Sequence, residues 1–140
     1  MANGKKVDLK LCALGNSVGT GTKGISAGVV EVRSMAELNQ LGETLKGKIV
    51  FLNFEMDPSN VNVFRSYSKS GIARWGAPTI AAKYGAVAAM VRSMAINPDD
   101  YPHTGVTVYN ASFPKIPAVA ISTNNANWLS RQLKMKMMLF

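Results

Sequence analysis

The chemistry open to this sequence is limited first by its single histidine, His103. It follows Asp99 and Asp100 in the stretch Asp-Asp-Tyr-Pro-His, so imidazole and carboxylate ligands of a metal ion can be imagined there. A zinc site needs three or four converging ligands, and the sequence has no second histidine and no nearby cysteine. We therefore interpret the stretch as a turn shaped by hydrogen bonds of His103, and we expect no metal and no cofactor in this chain.

A second pattern, G-x-G-x-x-G, occupies Gly19–Gly24 after a predicted strand. Dinucleotide binding would require a helix to begin here, with its N-terminus facing the pyrophosphate. The following residues, 25–30, are β-branched and glycine-containing, which favours a strand instead. The pattern therefore indicates a flexible loop between two strands. The sequence contains no Gly-Lys-Ser/Thr phosphate loop, and any serine triad would have to use the single histidine, so we predict no catalytic residues.

Composition excludes several further classes. The chain of 140 residues has a net charge of +8, but its sixteen lysine and arginine residues are scattered, without the basic and aromatic run of a nucleic-acid groove. No apolar run approaches the ~20 residues that span a bilayer, and no signal peptide is visible. Cys12, the only cysteine, cannot form an intramolecular disulfide, and we expect it to be buried and inert. The length predicts one domain, 1–140, with residues 1–6 disordered or derived from an expression vector.

The elements that would position these residues alternate between strands and helices. Apolar, β-branched runs predict strands at 7–14, 28–32, 48–54, 86–91 and 116–122. Ser34 and Glu37 form a capping box, which predicts a helix over 35–45. A second helix ends at Tyr84-Gly85, and its start lies between 64 and 84. Pro78 leaves two solutions open for that start: Pro78 in the first turn, or a longer, kinked helix.

The C-terminal third combines loop, helix and strand patterns. Residues 97–112 are polar and irregular, with a short strand suggested at 106–109 and a glycosylation sequon at Asn110. Thr123 is the predicted N-cap of a helix, and the alternation in 134–140 predicts a final strand. Packing in the core or between domains is expected for Trp75 and Trp128. A contact patch is suggested by Phe64, Arg65 and Tyr67.

A family resemblance is carried by six short segments, whose order and spacing count for more than any one of them. The segments are Gly19 to Ala27, Lys46 to Phe51, Ala81 to Ala86, Val91 to Met94, Tyr101 to Gly105 and Pro114 to Ala118. Together they make the chain similar to the protease-associated (PA) domain of zinc-dependent exopeptidases of the plasma glutamate carboxypeptidase type, the carboxypeptidase Q-like aminopeptidase family. The resemblance departs from the family at Pro78 and over Ser66–Trp75.

The resemblance implies a mixed α/β fold, an open β-barrel or sandwich flanked by helices. It implies a non-catalytic lid or interaction module, excised from a longer peptidase whose catalytic domain holds two zinc ions. None of that zinc-ligand set can be placed on this sequence. The implied partners are the catalytic domain of the same parent chain, a peptide substrate and a second copy in a homo-oligomer, with no nucleic acid and no membrane span. The parent would be secreted, periplasmic or attached to the cell envelope.

If the domain borders a substrate cleft, the loop from Asp99 to Tyr109 is the expected contact region. Its candidate substrate- or partner-contact residues are Tyr101, His103, Thr104 and Tyr109. The competing interpretation of the same residues is that they only shape the loop. A rival hypothesis from another class is an independent small α/β ligand-binding domain or enzyme that uses Gly19–Gly24 and His103.

Overall fold

A computed structural model describes residues 6–57, 59 and 70–137. The predictions for residues 1–5, for the patch of Phe64, Arg65 and Tyr67, and for the last three residues, 138–140, lie outside the described residues. Lys6 lies in the irregular lead-in to the first strand.

The described elements alternate as the sequence predicts. In chain order they are β1 (Leu11–Ala13), β2 (Val29–Val32), α1 (Met35–Leu41), a 3₁₀ turn (Gly42–Leu45), β3 (Ile49–Leu52), α2 (Ala77–Lys83), β4 (Ala88–Arg92), β5 (Ala118–Ile121) and α3 (Thr123–Met137). Residues 70–75 are also helical and lead into α2 through Gly76.

The strands form one sheet in the order β1-β5-β4-β3-β2. The pairs β2–β3, β3–β4 and β4–β5 are parallel, and β1 pairs antiparallel with β5 at the edge. Parallel strands must be joined by crossovers, and helices supply part of these connections. The mixed α/β class is confirmed, and the sheet is open rather than closed into a barrel.

The alternation of side chains along each strand separates two apolar clusters. Leu38 of α1 and Ala81 of α2 pack with Val50 and Leu52 on the side that we call the first face. Phe51, between these two strand residues, points to the opposite, second face, where it packs with Ala126 and Leu129 of α3. Helices therefore cover both sides of the sheet.

Local signals predicted the helix ends well. The Ser34 hydroxyl accepts from the Glu37 amide at 3.1 Å, as a capping box requires. In a capping box the Glu37 carboxylate would accept from the Ser34 amide. Here it accepts from the Arg33 amide instead, at 2.6 Å. Gly85 has a φ of +80°, the left-handed conformation that ends α2. Pro78 lies in the first turn of α2, so the first of the two solutions is right.

Several predictions for the C-terminal third were wrong. Residues 134–137 continue α3 instead of forming a strand, because Leu133 packs into the second-face cluster and Lys134 and Lys136 suit the helix C-terminus. The cap of α3 is Ser122, whose hydroxyl accepts from the Asn125 amide at 3.2 Å. The stretch 106–109 contributes a single bridge, Gly15 to Val106.

Two further expectations concern exposure. Cys12 is half-buried on the edge strand β1, rather than fully buried as predicted. Among the described residues, no helix is long and apolar enough to cross a membrane.

Candidate contact loop and adjoining groove

The predicted contact loop, residues 99–109, lies in the long connection between β4 and β5. Its start is fixed to α3 by Thr123, whose hydroxyl accepts from the Asp99 amide at 2.7 Å and donates to the Asp99 carbonyl at 3.1 Å. Thr123 was predicted to cap the helix, and it anchors the loop instead. This role depends on a contact between residues 24 positions apart, which a local sequence pattern does not reveal.

His103 lies beside Asp99 within this loop. Its Nε2 is 2.9 Å from Asp99 Oδ2, and its backbone amide donates to the hydroxyl of Ser93 at 2.7 Å. The loop-shaping role that the sequence suggested for His103 is therefore present in the structure. The His103 side chain is 38% exposed, so the ring also remains accessible.

Tyr101 is the candidate most open to a partner. The residue is 74% exposed, whereas its backbone amide is held by Asp99 Oδ1 at 3.0 Å. An exposed aromatic ring on a tethered backbone can stack on a ligand at little cost in conformational entropy. Contact of Tyr101 with a substrate or partner stays a prediction.

Thr104 and Tyr109 hold the loop against the rest of the chain. The Thr104 hydroxyl donates to the carbonyl of Ala13 at 2.8 Å. The Tyr109 hydroxyl donates to the Ile116 carbonyl at 2.7 Å and accepts from the Val18 amide at 3.0 Å. These two candidates act as loop anchors in the structure, and their contact with a substrate or partner stays a prediction.

Arg74 is an anchor that the sequence did not indicate. Its Nη1 donates to the Thr104 carbonyl at 3.0 Å, and its guanidinium lies against Gly105, where an added Cβ would come within 2.3 Å of Nε. A side chain at position 105 would therefore displace the Arg74 guanidinium from this place. The loop and the helical residues 70–75 are joined here into one surface.

An apolar groove borders the end of this loop. It has a volume of about 400 Å³ and is lined by Met35, Ile72, Trp75, Gly76, Thr79, Ile80, Val108, Tyr109 and Asn110. Trp75 is 52% exposed, whereas Trp128 is half-buried against the second-face cluster. The sequence suggested packing in the core or between domains for both tryptophans. The structure shows that the two differ in exposure.

A network of polar groups lies where α3 meets the carboxyl ends of the parallel strands. Glu31 Oε1 accepts from Asn53 Nδ2 at 2.6 Å, from Ser130 Oγ at 2.9 Å and from Arg33 Nη2 at 2.9 Å. Arg92 Nη1 donates to Oδ1 of Asn53 at 3.2 Å and of Asn127 at 2.7 Å. The network joins three strands to α3.

Burial acts to raise the pKa of the Glu31 carboxyl, but the hydrogen bonds from Asn53 and Ser130 and the positive charge of Arg33 outweigh it, so this pKa lies below its ordinary value. Burial lowers the pKa of Arg92, and the nearby carboxylates partly oppose this. Arginine is always charged in proteins, and the lowered pKa of Glu31 favours its ionised form. The network therefore pairs charged groups and does not supply a general acid.

The described part of the chain does not assemble a metal centre. It contains no group of three or more histidine, cysteine, aspartate or glutamate side chains able to hold an ion. The Gly19–Gly24 loop leads toward β2 and no helix begins at it, so the requirement of a dinucleotide site is not met. The rival hypothesis built on this loop and His103 gains no support from the geometry.

The known proteins to which the chain is similar are peptidases. It is 39% identical to carboxypeptidase Q of Xenopus laevis over 127 residues, which is 91% of this chain and 25% of that protein. The human carboxypeptidase Q is 35% identical over 123 residues, 88% of this chain and 24% of the relative. The chain therefore spans about a quarter of the length of these relatives. No model of a known family matches the chain.

Solved structures agree with the sequence relatives. A peptidase M28 precursor from Shewanella amazonensis superposes with a TM-score of 0.85 at 29% identity, covering 91% of this chain and 29% of that one. A zinc aminopeptidase from Bacillus subtilis, at 18% identity and a TM-score of 0.59 over 94% of this chain and 27% of its own, shares the fold. The chain is thus homologous to about a quarter of carboxypeptidase Q, and the resemblance to exopeptidases of this type that its sequence indicated is confirmed.

Proposed function

We propose that this chain is a non-catalytic PA domain of a zinc metallopeptidase, acting as a lid or interaction module that shapes the access of peptide substrates. The observation that carries the proposal is the match of nine-tenths of the chain to only a quarter of carboxypeptidase Q. A segment of that size leaves most of the relatives' length for a separate catalytic domain. The domain label itself comes from the sequence resemblance.

The side-chain inventory supports a non-catalytic role. The whole sequence has one histidine and one cysteine, too few for the zinc ligands that the resemblance implies in the catalytic domain. His103 is engaged with Asp99, and Cys12 is half-buried on an edge strand. Two zinc ions bound by the catalytic domain of the parent would supply the Lewis acid and the activated water.

The loop supports a role in substrate access. Tyr101 and His103 project from a segment whose backbone is fixed by Thr123, Thr104 and Arg74. A pre-ordered loop loses little entropy when it contacts a peptide. Aromatic and imidazole side chains can stack on a peptide bond or donate a hydrogen bond to it.

The lid role is tested in the full-length peptidase that contains this chain, assayed with zinc and a panel of dipeptides. Tyr101→Ala and His103→Ala should raise KM severalfold, or change the preference among the dipeptides, with kcat nearly unchanged. Met135→Ser, at a 53% exposed position on α3, is the control that should behave as wild type. If both loop variants match wild type for every dipeptide, the loop does not contact substrate.

The non-catalytic assignment is tested on the 140-residue chain alone. With zinc and the same dipeptides it should show no turnover above the buffer. Turnover that survives purification and is lost in His103→Ala would overturn the assignment and favour the rival small enzyme. The gene offers a second test, because a reading frame that continues into a domain rich in histidine and acidic residues supports a PA domain.

The partners proposed for the chain are the catalytic domain of the same parent, its peptide substrates and, in a homo-oligomer, a second copy. We further propose that the parent is exported, to the medium, the periplasm or the cell envelope. Fractionation of cells that express the full-length protein tests this, and recovery of all activity with the cytosol would contradict it.

A further inference from the structure

Two neighbouring depressions beside α1 and α2 share part of their lining. The apolar depression of about 400 Å³ described above shares Met35 and Ile72 with a second one of about 240 Å³. The second depression is also lined by Arg33, Ser34, Phe54, Glu55 and Ser70. We call the two depressions together the Trp75 groove. The lining of the first is mainly apolar, and the lining of the second also includes the charged residues Arg33 and Glu55.

The apolar end exposes large side chains next to one another. Trp75 and Val108 are each 52% exposed, and the Val108 amide donates to the Trp75 carbonyl at 3.0 Å, so their backbones are locked together. Apolar surface costs about 25 cal/mol per Å² when it stays in water. Neighbouring exposed apolar side chains around a concave floor are typical of a surface that a partner covers.

The outer side of α3 has the opposite character. Arg131, Lys134 and Lys136 are exposed along it, and its last turn carries no acidic side chain to offset them. Interfaces are depleted in lysine at their centre and enriched in tryptophan. The Trp75 groove is therefore better suited to permanent burial in an interface than the outer side of α3.

We propose that the Trp75 groove docks the remainder of the parent peptidase, with an aliphatic or aromatic side chain of the catalytic portion seated against Ile72, Trp75 and Ile80. This rests on the proposed function, and on relatives about four times as long as the chain, whose remaining length supplies a partner for the groove. A tryptophan at the centre of such an interface contributes a large share of its binding energy.

Docking at this place would also position the contact loop. Val108 and Tyr109 belong to the loop and line the groove, and Arg74 joins the loop to the helical residues beside Trp75. A partner seated in the groove therefore fixes the base of the loop, while Tyr101 remains exposed for substrate. One surface would hold the catalytic portion, and the neighbouring loop would meet the peptide.

Amide hydrogen exchange, compared between the full-length peptidase and the 140-residue chain, tests the proposal. Amides in 72–80 and 106–110 should exchange at least about tenfold more slowly in the full-length protein than in the short chain. A tenfold change corresponds to about 1.4 kcal/mol of docking free energy. Amides of α3 should exchange alike in both proteins. Trp75→Ser in the full-length protein should remove most of the added protection, and Met135→Ser, at a similarly exposed position, should leave it.

Each other outcome overturns docking of the catalytic portion. Equal exchange of 72–80 in both proteins shows that the groove stays open. Protection in the short chain that grows with its concentration identifies a second copy as the occupant. Protection that appears only when dipeptide is added identifies the groove as a peptide site. The proposed lid role is judged separately, by the KM of Tyr101→Ala and His103→Ala, so either proposal can fail alone.

Discussion

The two faces of the sheet are covered by different means. On the first face, α1 and α2 meet the strands through apolar side chains, and Leu38, Val50 and Leu52 have no exposed surface. On the second face, α3 packs on a smaller apolar cluster around Phe51. Beside that cluster, a hydrogen-bonded network centred on Glu31 joins α3 to the sheet.

The two faces should therefore contribute differently, the first mainly to the stability of the fold and the second mainly to the orientation of α3. Apolar burial is non-directional and scales with area, so the first face should hold most of the stability of the fold. Hydrogen bonds to charged groups are directional, so the second face should fix where α3 lies on the sheet. The Trp75 groove borders the first face, because its lining residues Met35, Ile72 and Ile80 also pack against the first-face cluster.

Truncation of the first face should have the largest effect. Leu38→Ala removes a fully buried side chain from α1 and should lower the free energy of unfolding by about 2–5 kcal/mol. Urea-induced unfolding measures this loss. Leu41→Ala, at a half-buried position on the same helix, is the control and should lose clearly less. A loss below about 1 kcal/mol for Leu38→Ala would contradict the assignment of the main core to this face.

Removal of an amide from the second face should have the next largest effect. Asn53→Leu removes one hydrogen bond from Glu31 and one from Arg92, although Ser130, Arg33 and Asn127 still bond to them, and it should cost about 1–3 kcal/mol in the same unfolding experiment. Asn39→Leu is the control, because Asn39 loses only a surface bond from the Tyr84 hydroxyl. Equal losses in the two variants would show that the network adds nothing beyond a surface hydrogen bond.

Loss of the cap on α1 should have a smaller effect. Ser34→Ala removes the acceptor for the Glu37 amide and should cost about 1 kcal/mol, seen as a lower midpoint of thermal unfolding. Ser34→Gly should cost only a few tenths of a kcal/mol, since glycine is a good cap without a side chain. If the two variants lose the same stability, the helix that covers the first face does not depend on its hydroxyl cap.

A change in charge alone should have the smallest effect. Glu31→Gln keeps an oxygen that accepts hydrogen bonds and removes the attraction to Arg33. Because the folded pKa of Glu31 lies below its ordinary value, its contribution is complete above the ordinary pKa of about 4.3 and is lost as pH falls through the lower folded pKa. The stability of wild type should therefore fall more steeply than that of Glu31→Gln below about pH 4.3, as measured by urea unfolding at several pH values. Parallel pH profiles would show that Glu31 gains nothing from ionisation in the fold.

Local patterns predicted the parts of the fold that depend on local chemistry. The Ser34–Glu37 cap and the end of α2 at Gly85 require only residues within one turn of each other. The strand predicted at 134–140 was wrong over 134–137, because a run of four alternating lysine and methionine residues is too short to decide between strand and helix. The contact of Leu133 with the second face decides for the helix, and that contact is long-range.

The candidate site was located only in part. The sequence pointed to the loop around His103, but three of its anchoring partners, Thr123, Ala13 and Arg74, come from distant positions. The exposure of Trp75 was not predicted, because two positions for the start of its helix were compatible with Pro78. The side of a helix that faces the sheet is known only when its register is known.

The sequence by itself determined the α/β class, the order of the main strands and helices up to residue 133 and the peptidase resemblance, since these depend on periodicity, capping residues and short segments at fixed spacing. Tertiary structure decided the rest: which tryptophan is exposed, how the loop is tied down, and that residues 134–137 extend a helix. Each of these depends on contacts between distant residues, whose energies are absent from any local pattern.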